Sequence, residues 1–275
     1  AYYVGRRCRE GSIQTVAQEL RLDWHTVKAL EMQYLQEQLR RAQAIHEADL
    51  RAVYAAFRRS EAKFLVAYNR RFAPAALRAR EHLAGAKSML IQYRVNNAWL
   101  PPGHWLNDPI QGGGRLLGEC CHFLDFLCFL ADAAPVSVTA QAREGCAEDV
   151  VITVQLADGS VGSIFHAVQG DPGVGKERIE VYAGAHLVII EDFSSIRQAS
   201  GGKARSMHTS GKGHAECVRS FCQYVEGKIA TPPIPPDQQF LGALATLRLP
   251  TAIATGRRIP ISWADLEGEH NPGTG

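Results

Sequence analysis

The sequence predicts an α+β protein, and three observations carry that prediction. Residues 1–60 are helical in pattern, with no proline before Pro74 and no glycine between Gly11 and Gly85. Short β-rich runs recur at Leu90–Val95, Val161–Val168, Arg178–Tyr182 and Leu187–Ile190, each of strand length and bounded by turn residues. Among them lies one apolar helical stretch, from about Leu116 to Leu130. Beyond residue 191 the pattern predicts a loop, a helix near His214–Val225, a proline-rich linker (Thr231–Pro236), a further helix and a Gly/Pro tail.

Bulk properties bound the function. The chain has 275 residues, 46% hydrophobic and 21% charged, the composition of an ordinary globular protein with one or two domains. Its longest apolar run, Phe123 to Val136, is interrupted by Asp125 and Asp132, so no membrane span is expected. No charged segment followed by an apolar one opens the chain. Seven cysteines, none in a C-x-x-C pair, argue against a disulfide framework or a zinc ribbon. A cytoplasmic location is the expectation.

Net charge is +2 and sits wholly in residues 1–42, which hold seven basic and five acidic residues. That segment has a definite shape. Ile13, Val16, Ala17 and Leu20 follow Ser12 at helical spacing, a tight Arg21-Leu22-Asp23 intervenes, and Asp23 can cap a second helix. Short helix, turn and second helix is the helix-turn-helix arrangement, whose second helix enters the major groove of duplex DNA. His25, Thr26 and Lys28 would then meet base edges, with Arg6, Arg7 and Arg9 on phosphates. Two amphipathic helices of any bundle give the same pattern. The stretch YYVGRRCREGSIQTVAQELRLDWHTVKALEMQYLQEQLRR closely resembles the helix-turn-helix of insertion-sequence transposases of the ISL family. The resemblance stops near Arg41 and implies no transposase chemistry.

Gly170–Glu177, GDPGVGKE, nearly spells the phosphate-binding loop G-x-x-x-x-G-K-[ST]. Glu177 replaces the required hydroxyl, and the residues after it alternate as a strand, not a helix. A loop between two antiparallel strands is expected instead.

The remaining motifs are more specific. KFLVAYNRRF runs from an apolar strand into Asn69-Arg70-Arg71-Phe72. Then come a loop with His104, Trp105, Asn107 and Asp108, a three-glycine turn (Gly112–Gly114) and the apolar helix of GRLLGECCHFLDF. With ADGSVGSI, GDPGVGKERIEVYAG and KGHAE, these words resemble the C-terminal domain of the Gfo/Idh/MocA family of NAD(P)-dependent oxidoreductases, over about Glu47 to Ala264. The resemblance implies an open, largely antiparallel sheet with helices on one face. The free face would serve homo-oligomer formation, and the substrate would be a small sugar-type molecule.

By motif match the catalytic residue is His122. Many family members carry an aspartate four residues earlier; here Gly118 stands there, and Glu119 is about 100° away round the helix. A core histidine on an apolar helix is the alternative. Substrate contacts are expected from Asn69, Arg70 and Arg71, from His104, Trp105 and Asp108, and from Arg115 and Lys176, which suit a carboxylate or phosphate. Ordinary salt bridges are the alternative for the charged ones. No metal site is expected, although Cys121, Asp125 and Cys128 share a helix face.

NAD(P) is the family's cofactor, yet this sequence has no G-x-G-x-x-G turn before residue 70 and no Glu-Lys-Pro segment. The expected organisation is therefore chimeric. A transposase-like 1–42 precedes 43–68, a remnant of a Rossmann domain with one helix and a last strand Phe64–Tyr68. The substrate and dimerisation domain follows as 69–266, then a tail, 267–275. Such a chain would be a truncated sugar oxidoreductase, inactive alone, with DNA binding as the alternative function. Its orphan strand would present unpaired edge groups.

Overall fold

The computed structural model describes residues 18, 21, 23, 25, 26, 28–30, 46–101, 104–107 and 114–267. The chain divides into two units, Ala1–Ile45 with Pro102–Gly114, and His46–Pro101 with Arg115–Gly275.

In the first unit, Gln18 and residues 25, 26 and 28–30 are helical, with a turn at Arg21, whose φ of 52° is left-handed. The Asp23 carboxylate accepts the Thr26 N–H at 3.0 Å and the Thr26 hydroxyl. This is an N-cap, and it lowers the Asp23 pKa. His25, Thr26 and Lys28 are exposed. Arg6, Arg7 and Arg9, and most of the expected two-helix motif, lie outside the described residues. A short 3₁₀ turn, Trp105–Asn107, follows His104, whose Nδ1 accepts the Leu106 N–H at 3.2 Å.

The second unit is built on a nine-stranded sheet. Helix α1 (Glu47–Arg59), a 3₁₀ turn (Asn69–Phe72) and α2 (Pro74–His82) precede β1 (Leu90–Ala98). Helices α3 (Gly114–Gly118) and α4 (Cys120–Ala131) come next. Seven strands follow: β2 (Pro135–Arg143), β3 (Cys146–Leu156), β4 (Val161–Gly170), β5 (Glu177–Ala183), β6 (His186–Glu191), β7 (Ser195–Ser200) and β8 (Lys203–His208). The chain closes with α5 (His214–Val225), α6 (Pro236–Leu247), α7 (Leu249–Thr255), β9 (Ile259–Pro260) and α8 (Ala264–Glu267). Strand order is β8-β7-β6-β5-β1-β4-β3-β2-β9. Every pairing is antiparallel except β1 with β4.

Alternation fixes which face is covered. Ile91, Tyr93 and Val95 of β1, Ile152 and Val154 of β3, and Ile179 and Val181 of β5 are buried. The interleaved Leu90, Val151, Phe165 and Tyr182 are exposed. Helix α4 is apolar nearly all round, as a buried helix must be, and sets Phe123, Phe126, Leu127 and Leu130 in the core. It lies so close to β4 that a Cβ on Gly162 would stand 2.4 Å from Leu127 Cδ1.

Three expectations change, and a fourth is met with an added detail. The strand expected at Phe64–Tyr68 is not formed; the segment has no ladder bonds and ends in two tight backbone turns, Tyr68 N–H to Val66 O at 2.7 Å and Asn69 N–H to Ala67 O at 2.8 Å. Its groups are met from α6 instead: Val66 N–H donates to Gln239 Oε1 at 2.7 Å, and Phe64 stacks on Phe240 at 5.5 Å. Side-chain contacts thus cover part of the edge that was expected to be bare. The loop expected after residue 191 contains the hairpin β7–β8, hard to read because β8 is a polar edge strand with exposed Lys203 and Arg205. The apolar helix breaks at Glu119 into α3 and α4. Finally, the loop after Gly170 joins two antiparallel strands that are not neighbours, because β1 lies between them. Asn96, near the end of β1, anchors that loop through Nδ2 bonds to Asp171 O and Val174 O at 2.8 and 2.9 Å.

Among the described residues no helix is long and apolar enough to cross a membrane.

Candidate functional site

At the end of β1 where it meets β5, the sequence brings its charged motifs together. Lys176 and Glu177 leave the glycine-rich loop held by one carboxylate. Asp192, itself left-handed with φ 47°, accepts both of their backbone N–H groups at 2.9 and 2.8 Å. Their side chains enter two separate networks.

Glu177 is the hub of the first. It has 0% exposure and takes Arg70 Nε and Nη2 at 2.6 and 3.0 Å. It also accepts Lys212 Nζ at 2.5 Å and the Tyr93 hydroxyl. Burial alone would raise its pKa. The hydrogen bond and charge of Arg70, with the charge of Lys212, outweigh burial and bring it down to about 2. Burial and the adjacent carboxylate hold the Tyr93 phenol well above its usual range. The segment that supplies Lys212 packs tightly on the turn that supplies Arg70. Asn69 Nδ2 donates to Lys212 O at 2.6 Å. Gly213, with φ 79°, lies so close that a Cβ there would stand 2.4 Å from Asn69 O.

Glu119 is the hub of the second network. Its Oε2 accepts Lys176 Nζ at 3.0 Å and Asn97 Nδ2 at 3.2 Å. Burial pushes Glu119 up; the charge and bond of Lys176 more than reverse that. Asn97 also meets His166 Nε2 at 2.9 Å, and His166 Nδ1 meets Glu148 O at 2.7 Å. The Glu148 carbonyl can only accept, so Nδ1 carries a proton, and Nε2, facing the Asn97 amide N–H, accepts; together these make His166 neutral. Its pKa is lowered, first by burial. Arg115 is buried one turn before Glu119, on the same face.

His122 lies close enough to both networks to feel their charges. The Tyr68 ring stands edge-on to it at 5.6 Å. Burial, then the Arg70 charge, drives its pKa down to about 4 against the opposing pull of Glu177 and Glu119. The imidazole is therefore neutral near pH 7, and its buried Nδ1 has no hydrogen-bond partner. A neutral ring can accept a proton, and because the unpartnered Nδ1 is enclosed by protein, Nε2 is the nitrogen a bound hydroxyl would have to meet.

The other expected contacts divide. Asn69 and Arg70 join the first network, and Lys176 the second. Arg71 points elsewhere: it makes two bonds to the Asp125 carboxylate at 2.6 and 2.7 Å and one to Gln238 at 2.7 Å, all buried. Its guanidinium is engaged in holding the 3₁₀ turn to α4 and α6. His104 and Trp105 belong to the first unit, and Asp108 lies outside the described residues. The thiols on α4 are poor metal ligands as they stand. Burial, then Asp125, pushes Cys121 up to about 11, and burial pushes Cys128 up to about 12. Among the described residues no group of three or more His, Cys, Asp or Glu is placed to hold a metal.

Sequence reasoning missed Glu177, Lys212, Glu119, Tyr93, Asn97 and His166. The signal for two of them was present. Glu177 is the residue that breaks the phosphate-loop pattern, and Lys212 opens the word KGHAE.

Residues 87–184 match the GFO/IDH/MocA C-terminal domain. They run from just before β1 to the end of β5 and include Arg115, Glu119, His122, Lys176 and Glu177. Solved structures share the fold. Levoglucosan dehydrogenase, in complex with NADH and levoglucosan, superposes with TM-score 0.65 at 17% identity, covering 78% of this chain and 70% of that one. The aldose–aldose oxidoreductase of Caulobacter crescentus, complexed with glycerol, gives 0.64 at 16%, covering 78% and 69%. The super-repressor mutant of Gal80p from Saccharomyces cerevisiae gives 0.59 at 14%, covering 78% and 69%. One architecture thus carries sugar oxidoreductases and a protein described as a repressor, so function has to be argued from the site. No curated protein sequence matches the chain.

Proposed function

We propose that the second unit is the substrate half of an oxidoreductase acting on a sugar or sugar derivative, with His122 as the group that takes the hydroxyl proton. The observation that carries this is the neutral, unpartnered His122 imidazole beside the Arg70–Glu177–Lys212 and Glu119–Lys176 networks. Each network fixes side chains with many donors and acceptors. Such preorganised polar groups orient a polyol with little reorganisation. Glu177 acts on the substrate only through the residues it positions, Arg70 and Lys212.

NAD(P) is the cofactor of the resembled family, and the described residues of this chain do not fit it. The glycine-rich connection between β4 and β5 is already filled. Asp171 accepts the Gly173 N–H at 2.7 Å, and Asp192 takes those of Lys176 and Glu177. Carboxylates therefore occupy the donors a phosphate would need. The strand, glycine segment and helix formed by β8, Gly211–Gly213 and α5 is no cradle either, because Gly213 is packed on Asn69 O and Lys212 is held by Glu177. On this reading the nucleotide half is supplied by residues other than the described ones. The free sheet face, with exposed Leu90, Val151, Phe165 and Tyr182, supports self-association of this half. Sedimentation of wild type against Phe165→Glu tests it, and an unchanged mass would remove it.

The test of function is NMR of the histidine rings during titration with levoglucosan, glucose and myo-inositol. His122→Ala assigns the signal. The expected result is a saturable shift of the His122 resonance with at least one ligand. Absence of any shift, at ligand concentrations that saturate ordinary sugar sites, removes the reading.

A second reading rests on the Asp23 cap, which starts a helix whose first turn exposes His25, Thr26 and Lys28. We propose duplex DNA as its ligand. Affinity that falls steeply with salt, and falls further in Lys28→Ala, supports it; no binding at low salt ends it.

A further inference from the structure

Where the end of α2 meets the β6–β7 hairpin, two histidines face each other, and neither belongs to the networks described above. His186 Nδ1 stands 3.4 Å from His82 Nε2. The rings meet edge to face, with 5.0 Å between centroids. His82 Nε2 also lies 3.3 Å from Ala199 O. That carbonyl can only accept, so Nε2 carries a proton, and His186 Nδ1 presents a lone pair to the same proton. One proton thus serves two acceptors, both farther away than is usual for such bonds.

The backbone fixes this arrangement. His82 is the last residue of α2 and His186 the first of β6. A tight turn with left-handed Gly184 and Ala185, φ 49° and 66°, sets the start of β6. Gln198 Nε2 donates to Arg78 O at 2.9 Å and ties β7 to α2 one turn before His82. The Arg78 guanidinium, on the same helix face, is turned to Met207 Sδ at 3.7 Å. Both histidines are half-buried, so neither ring is sealed from solvent.

Two imidazole nitrogens bound to one zinc at about 2.0–2.1 Å, at a tetrahedral angle, stand about 3.3–3.4 Å apart. The pair already has that separation. A cation in place of the shared proton takes one lone pair from each ring, and the His82 proton moves to its Nδ1, so both rings stay neutral. Ala199 O lies beside the same nitrogen as a third donor, and water completes the shell. Imidazole suits zinc and nickel; magnesium and calcium take oxygen ligands.

We infer that His82 and His186 form a binding site for a divalent transition cation of the zinc or nickel class, which clamps the end of α2 to the β6–β7 hairpin. The inference is independent of the sugar reading.

Titration calorimetry of the full chain with zinc chloride, nickel chloride and magnesium chloride tests it, with His82→Gln and His186→Gln alongside. Wild type should show a zinc or nickel site that either variant weakens by at least about tenfold, since even groups behind a ligand are worth about 10–100-fold. Magnesium should not fill it. Urea midpoints of the metal-free proteins establish that the variants fold. The histidine ring resonances of the wild type need no variant: two of them should shift together as the site fills. If zinc and nickel bind both variants as tightly as wild type, or no pair of histidine signals moves with either metal, the inference is overturned and the pair is a hydrogen bond alone. A magnesium response lost in the same two variants would overturn the assignment to a transition cation.

Discussion

Glu177→Ala removes the hub of the first network. In the wild type, a fully buried carboxylate meets Arg70, Lys212 and the Tyr93 hydroxyl. Its loss strands Arg70, whose side chain is 12% exposed, and leaves a buried phenol without its acceptor. Breaking one partner of such a pair costs about 3–5 kcal/mol. The titration of Glu177 gives an independent figure. A fall from 4.5 to about 2, at about 1.4 kcal/mol per tenfold change, corresponds to about 3 kcal/mol. The native state holds Glu177 ionised where the unfolded chain would protonate it. Its contribution is therefore complete above pH 4.5 and is lost as pH falls toward 2. Urea unfolding of wild type and Glu177→Ala at pH 7 and pH 3 checks both statements. The gap should be about 3–5 kcal/mol at pH 7 and should narrow by about 2 kcal/mol at pH 3. Glu177→Gln, which keeps the volume, separates charge from packing. A gap under about 1 kcal/mol at pH 7, or one that does not change with pH, would refute the reasoning.

Other outcomes follow from the same geometry. Replacing Arg71 with Met leaves Asp125 buried and unpaired and should destabilise by about 3–5 kcal/mol. Adding Asp125→Leu to that variant should restore part of the loss, as a double-mutant cycle by urea denaturation would show. Gly213→Ala imposes a left-handed φ on alanine and drives its Cβ into Asn69 O. It should lower stability by at least about 2 kcal/mol and also shift Arg70 and Lys212; a neutral melt would contradict the packing described. His122 should titrate with a midpoint near 4, read from its ring resonances. Because that value is depressed in the folded state, its neutral form favours folding above pH 6.5, and the advantage fades as pH falls toward 4. Titration near 6.5 would mean the ring is open to water.

Much of the fold could be read from local pattern. Strands β1, β4, β5 and β6 alternate because one face is buried, and α4 is apolar because it is covered nearly all round. The Asp23 cap was likewise visible as a residue type at a telling position, whereas His122 was singled out only by the family resemblance. Tertiary structure decided the rest. Nothing local shows that β1 lies between β4 and β5, since strand order is set by pairing between distant segments. Nor does it show that Phe64–Tyr68 leans on α6 rather than joining a ladder. Arg70 and Arg71 are adjacent in sequence, yet one faces Glu177 and the other Asp125, because a tight turn sends neighbouring side chains apart. Glu177 looked like a defect in a phosphate loop. Only the fold reveals it as a buried carboxylate between two cations, because its meaning depends on charges 107 residues before it and 35 after it.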